Sequence, residues 1–165
     1  MRCFAAIDLS DEIRQKISAL QEKMPKQRIK SVERGNLHIT LKFYGEVDDI
    51  GSIEKKISEI CKKAKSFEIN IKDVGCFPDL SNIRVIWIGI ESDELINLQK
   101  LFESEKPHLT IARVKTKTSH ELKTFMEKNR DVEIGRMSVN KIKLKKSILT
   151  EKGPVYEDIK VFELG

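Results

Sequence analysis

The chain predicts an α+β fold: antiparallel sheets with helices on their outer faces, bilobal and duplicated about a pseudo-two-fold axis, with a central cleft. Three observations predict it. Segments with strand alternation fall in close pairs that suit hairpins. Four segments with helical period are interleaved between them, in the order β-α-β-β-α-β-β then α-β-α-β-β-β. The four-residue word His-x-Thr-x also occurs twice, as His38-Ile39-Thr40-Leu41 and His108-Leu109-Thr110-Ile111, at comparable places in that order. The 165 residues suffice for one domain over 1–165, made of two pseudo-symmetric lobes on a shared interior.

Taken in order, residues 2–8 read as the first strand. Ser10 caps a helix from Asp11 that aligns Ile13, Ile17, Leu20 and Met24 on one face, and Pro25 ends it. Residues 29–32 form a short strand, Arg34-Gly35-Asn36 a turn, and residues 37–44 the first motif strand, broken by Gly45. Asp48 and Asp49 open a second helix, whose period is kept by Ile50, Ile53, Ile57, Ile60, Cys61 and Ala64. Residues 67–74 alternate as a strand, and residues 78–82 carry loop signals. Residues 84–90, with Val85-Ile86-Trp87-Ile88, are apolar enough for the middle of a sheet. Asp93 caps a third helix that turns Leu95, Leu98, Leu101 and Phe102 inward. Residues 108–114 are the second motif strand. Thr118 or Ser119 caps a fourth helix with Leu122, Phe125 and Met126. Three strands follow over 132–139, 141–149 and 155–164, the last two joined by the turn Glu151-Lys152-Gly153-Pro154.

Composition bounds the function without assigning it. The net charge of +5 favours a polyanionic partner such as RNA. Charged residues of both signs make up 35% of the chain, which equally suits a solvated, ion-pair-rich surface. Cys3, Cys61 and Cys76 form neither a disulfide framework nor a zinc pattern, and read as free thiols. No apolar run is long enough to span a bilayer, and the start turns acidic at Asp8 too early for a signal peptide. The expectation is a soluble cytoplasmic protein with no membrane partner, and nothing demands more than a monomer.

The repeated word carries the chemistry. On a strand, alternate residues share a face, so each copy presents an imidazole beside a hydroxyl and sends two aliphatic side chains the other way. A single histidine on a strand is more often structural than catalytic. Here two of the three histidines in the chain sit in copies of one word. Two histidines do not complete a zinc site, and no cysteine pair or carboxylate cluster lies near to help. No nucleophile elbow accompanies them. Acid–base catalysis by two imidazoles, without metal or cofactor, is what remains. A cyclic phosphodiester suits that division. One ring takes a proton from water, the other gives one to the leaving ribose oxygen, and the threonine hydroxyls with nearby cations hold the non-bridging oxygens.

These residues resemble the two-histidine phosphoesterase superfamily, and within it the archaeal and bacterial RNA 2′,3′-cyclic phosphodiesterases, also called 2′-5′ RNA ligases. The similarity includes Phe4-Ala5-Ala6-Ile7-Asp8, the runs around both motifs from Asn36 to Glu46 and from Pro107 to Val114, and a tail with Ser147, Leu149, Gly153 and Tyr156. The resemblance implies a bilobal fold and metal-free hydrolysis of RNA 2′,3′-cyclic phosphate ends to 2′-phosphate ends. It also implies reversible 2′-5′ ligation of tRNA halves. RNA carrying such ends would be the partner. His38 would be the acid for the leaving 3′ oxygen and His108 the base for water, with pseudo-symmetry permitting the reverse. Thr40, Thr110 and Arg113 would bind the phosphate. Strict alternation puts Arg113 on the face opposite His108, so it reaches the site only through a bulge. Lys42 and Tyr44 share the face of His38 by alternation and are candidates to touch RNA. Phe43 is expected in the core, although the resemblance places an aromatic near the substrate here. His120 is expected to be merely exposed. Residues 102–107 leave little room for the loop that the family carries before the second motif. A relative acting on another cyclic or 2′-5′ linked nucleotide, or an RNA-end binding module without turnover, are the competing readings.

Overall fold

The computed structural model describes residues 1–104 and 107–165. Its elements follow the expected order: β1 (Arg2–Asp8), α1 (Asp11–Glu22), β2 (Ile29–Ser31), a 3-10 turn (Arg34–Asn36), β3 (His38–Glu46), α2 (Gly51–Lys63), β4 (Phe67–Asp79), β5 (Asn82–Glu91), α3 (Asp93–Leu101), β6 (His108–Val114), α4 (His120–Lys128), β7 (Glu133–Val139), β8 (Lys141–Thr150) and β9 (Gly153–Glu163). The fold is α+β, with two antiparallel sheets ordered β3-β1-β8-β9 and β2-β6-β5-β4-β7. Neither sheet is a contiguous half of the chain. β2 crosses from the amino-terminal part to the edge of the second sheet, and β8 and β9 return to the first. One apolar core takes side chains from both sheets and all four helices. Among the described residues, no helix is long and apolar enough to cross a membrane.

The helices are set by caps and by apolar spacing. Ser10 and Ser119 accept from the backbone N–H three residues on, as the sequence predicts for α1 and as one of its two options for α4. At α3 the cap is Ser92, not Asp93: its hydroxyl accepts from Leu95 N–H at 3.1 Å, and Asp93 falls in the first turn, where a carboxylate suits the helix dipole. Leu101, expected inward, is 43% exposed, while Phe102 fills the core place at the helix end. Residues 78–82 are not a loop. β4 runs to Asp79, and a two-residue turn returns the chain at Asn82. Gly45 does not break β3. Its φ of +72° lets the strand pass through a register shift and continue to Glu46.

Three unopposed residues decide which side chains reach the cleft. Between β1 and β3, Ala6 pairs Thr40 and Ala5 pairs Lys42, leaving Leu41 unopposed. Phe4 then pairs Phe43 and Cys3 pairs Gly45, leaving Tyr44 unopposed. Between β5 and β6, Trp87 pairs Thr110 and Ile86 pairs Ala112, leaving Ile111 unopposed. Each is a bulge that changes the alternation beyond it.

Candidate active site

Both motif strands turn their histidine and threonine into one cleft of about 500 Å³, formed where β3 and β6 approach each other. Their aliphatic neighbours Ile39, Leu41, Leu109 and Ile111 lie in the core with at most 1% exposure. The alternation expected from the sequence therefore places His38, Thr40, His108 and Thr110 together.

Past each motif the bulges take over. Because Ile111 is unopposed, it and Ala112 are both buried, and Arg113 turns out to line the cleft. The bulges in β3 have the matching effect. Phe43, expected in the core, is 69% exposed and lines the cleft beside Lys42. Tyr44, expected on the His38 face, instead packs partly buried against the core, and burial pushes its hydroxyl up to about 12. Lys42 Nζ lies 5.9 Å from the centre of the Tyr44 ring. His120 is the exposed first residue of α4.

His38 is held at both nitrogens. Its Nδ1 lies 2.6 Å from the Asn36 carbonyl oxygen, and its Nε2 lies 2.9 Å from Thr40 Oγ1. A carbonyl only accepts, so Nδ1 carries the hydrogen. In the neutral ring Nε2 is then bare and accepts the threonine O–H. Burial pushes the His38 pKa below its ordinary value of 6.5. The Asn36 hydrogen bond and Asp8 oppose the shift, while the Lys145 and Arg14 charges add to it. The ring also packs against Phe4 at 5.1 Å and edge-on to Tyr156 at 5.2 Å.

His108 also packs against an aromatic ring. Phe77 meets it edge-to-face at 5.2 Å, and Phe77 in turn leans on Trp87 at 5.5 Å. The indole lies so close over Gly75 that a Cβ there would sit 2.2 Å from it, so this position needs glycine.

A group of charges stands behind His38. Asp8 pairs with His38 across β1 and β3. Its carboxylate meets Lys143 Nζ at 2.7 Å and Lys145 Nζ at 2.9 Å, and Asp158 closes the square at 2.8 and 2.9 Å. Lys145 is 8% exposed. The contact at Asp8 Oδ1 is ionic rather than a well-directed hydrogen bond. Burial alone would raise the Asp8 carboxyl, but contact with the two ammonium groups outweighs it and holds the carboxyl below its ordinary value.

Several lining residues were not foreseen. Lys30 from β2 and Lys152 from the β8–β9 turn join Lys42 and Arg113, against one acidic group, Glu33, so the lining is cationic among the described residues. Gln99 is a polar residue on the inward face of α3 and only 3% exposed. Its Nε2 donates to the Thr40 carbonyl at 3.2 Å, and Ser104 Oγ lies against both Gln99 Oε1 and the Leu41 carbonyl, which share its one hydrogen. These bonds tie the chain just before the second motif to the backbone of the first. A signal for Gln99 exists: it shares the i, i+3, i+4, i+7 stripe with Leu95, Leu98 and Phe102. The shortened stretch before His108 includes residues 105 and 106, which lie outside the described residues.

Comparison with known proteins gives a consistent picture. The family model described as LigT like Phosphoesterase matches residues 7–87 and 90–156. An RNA 2′,3′-cyclic phosphodiesterase of Methanocaldococcus jannaschii is 43% identical, aligned over 97% of this chain and 99% of its own length. One from Archaeoglobus fulgidus is 41% identical over 99% and 100%. The solved Thermus thermophilus protein TT0787 superimposes with a TM-score of 0.87 at 25% identity, covering 99% of this chain and 98% of that one. Escherichia coli LigT, crystallised with phosphate, does so with a TM-score of 0.73 at 26% identity, covering 99% and 96%.

Proposed function

The chain belongs to the LigT-like phosphoesterase family, and from that membership we propose that it hydrolyses RNA 2′,3′-cyclic phosphate ends to 2′-phosphate ends. The observation that carries this reading is the meeting of two His–Thr pairs in one cationic cleft. The names of the archaeal relatives support the same substrate class.

The geometry favours a division of labour opposite to the one first implied by the resemblance. His38 rests neutral with Nε2 bare and its pKa depressed, which suits a base. In this reading His38 Nε2 takes the proton of the attacking water as its oxygen bonds to phosphorus. The P–O3′ bond breaks, and His108 gives a proton to the departing 3′ oxygen. Thr110 and Arg113 hold the non-bridging oxygens. At rest, the Thr40 hydrogen is donated to His38 Nε2. Once His38 is protonated, that hydroxyl is released to the phosphoryl oxygen as its charge grows, a contact strongest in the transition state. A ribose 5′-hydroxyl entering in place of water gives a 2′-5′ linkage by the same transfers, and joins tRNA halves if these supply the two ends.

The test is turnover of a short RNA with a 2′,3′-cyclic phosphate end by the wild-type protein, His38→Ala and His108→Ala. We expect a 2′-phosphate product, and a loss of about 10²–10⁴-fold in each variant with RNA binding retained. A wild-type protein that binds this RNA without turnover contradicts the reading in favour of an RNA-end binder.

A further inference from the structure

Tyr156 lies in the tail that resembles the family, yet neither the motif chemistry nor the division of labour above uses it. It stands on β9 opposite Ser147 of β8 and lines the cleft. Its ring is fixed on two sides, edge-on to His38 at 5.2 Å and 90°, and edge-on to Phe4 at 5.0 Å and 74°. The hairpin that carries it is fixed as well. Asn36, whose carbonyl holds His38 Nδ1, donates through Nδ2 to the Pro154 carbonyl at 3.0 Å. One residue thus ties His38 and the Tyr156 hairpin together.

The ring is packed, but the hydroxyl finds no hydrogen-bond partner among the described residues. It is not among the buried polar atoms that lack one, so it meets the open cleft. Burial raises its pKa, against the lowering fields of Arg113 and Lys145, so it keeps its proton at neutral pH and is a donor. At rest, this side of the cleft has no other hydroxyl free to donate. Thr110 and Arg113 on β6 have no hydrogen-bond or ion-pair partner among the described residues and are available to an anion. On β3 the Thr40 hydrogen is engaged by His38. We propose that Tyr156 is a further catalytic residue, its phenolic O–H donating to a non-bridging phosphate oxygen on the His38 side of the cleft.

This assignment rests on the phosphodiesterase reading, and the experiment separates the two. Wild type and Tyr156→Phe are compared on a short RNA with a 2′,3′-cyclic phosphate, and on the two diastereomers bearing one non-bridging sulfur. Phenylalanine keeps the ring packed against His38 and Phe4 and removes only the hydroxyl. We expect kcat to fall about 10²-fold on the all-oxygen substrate. On one diastereomer the difference from wild type shrinks, because sulfur accepts the hydrogen bond poorly; on the other it persists. Equal kcat for wild type and Tyr156→Phe overturns the assignment, and so does a loss that is the same on all three substrates, since a structural effect does not distinguish them. Failure of the wild type itself to turn over overturns the underlying reading instead, and the Tyr156 assignment with it.

Discussion

His38 and Thr40 are bonded to each other across 2.9 Å, two residues apart on one strand face. The hydroxyl stabilises the neutral imidazole by donating to its bare nitrogen. Removing it has two effects. We expect Thr40→Val to raise the His38 pKa, moving the acid limb of kcat/KM to higher pH, and to lower kcat about 10–10²-fold through loss of a transition-state donor. A pH–rate profile measures both. Thr110→Val, whose hydroxyl does not touch a histidine in this way, should lower kcat/KM without moving that limb.

The titration of His38 follows from its surroundings. Burial holds its pKa below 6.5, and Lys145 reinforces the shift. NMR of the ring should place its midpoint below the ordinary value, with Lys145→Met moving it up and Asp8→Asn moving it further down. Between the depressed pKa and 6.5 the unfolded chain holds more protons than the folded one. Stability from this group therefore rises with pH through that window and is lost on acidification. Midpoints at or above 6.5 in the free protein would contradict the assignment of His38 as the base.

The charge square behind His38 makes a prediction about folding. Lys145 is buried, and its ammonium sits between Asp8 and Asp158. Lys145→Met leaves two carboxylates with one cation and should cost about 1–3 kcal/mol at neutral pH by urea unfolding. Both carboxyls have folded pKa values below the ordinary value of 3.8. Their contribution is therefore present above that value and disappears as pH falls through the depressed range. The wild type should lose more stability than Lys145→Met on acidification there.

Gly75 offers a steric test of the other histidine. An added Cβ meets the Trp87 indole, which supports Phe77, which packs on His108. Gly75→Ala should cost about 1–3 kcal/mol through overpacking. It should also lower kcat more than it raises KM, because the displacement is passed to His108.

How legible was all this in the sequence? The order of elements and the shared face of each His–Thr pair were readable, because strand and helix periods are local. The placement of Arg113, Phe43 and Tyr44 was not. It depends on Ile111, Leu41 and Tyr44 standing unopposed, and strand pairing over long separations sets those bulges. The same holds for the charge square, which exists only because β8 and β9 return beside β1. Tyr156 was visible as part of a resemblance, but its contact with His38 needs the fold. Gln99 is a polar residue on an apolar stripe, which is a local signal.

Chelation tests whether the proposed chemistry needs a metal. If proton transfer belongs to the two imidazoles, turnover of the cyclic-phosphate RNA in EDTA should match turnover without it. A loss restored by adding back a divalent ion would require a different site chemistry.

The most direct measurement replaces the 3′ bridging oxygen of the cyclic phosphate with sulfur. A thiolate leaves without a proton, so the acid becomes dispensable while the base does not. With His38 as base and His108 as acid, His108→Ala should regain most of the wild-type rate on this substrate, and His38→Ala should stay slow. Rescue of His38→Ala instead would reverse the assignment, and rescue of neither would contradict the two-histidine division itself.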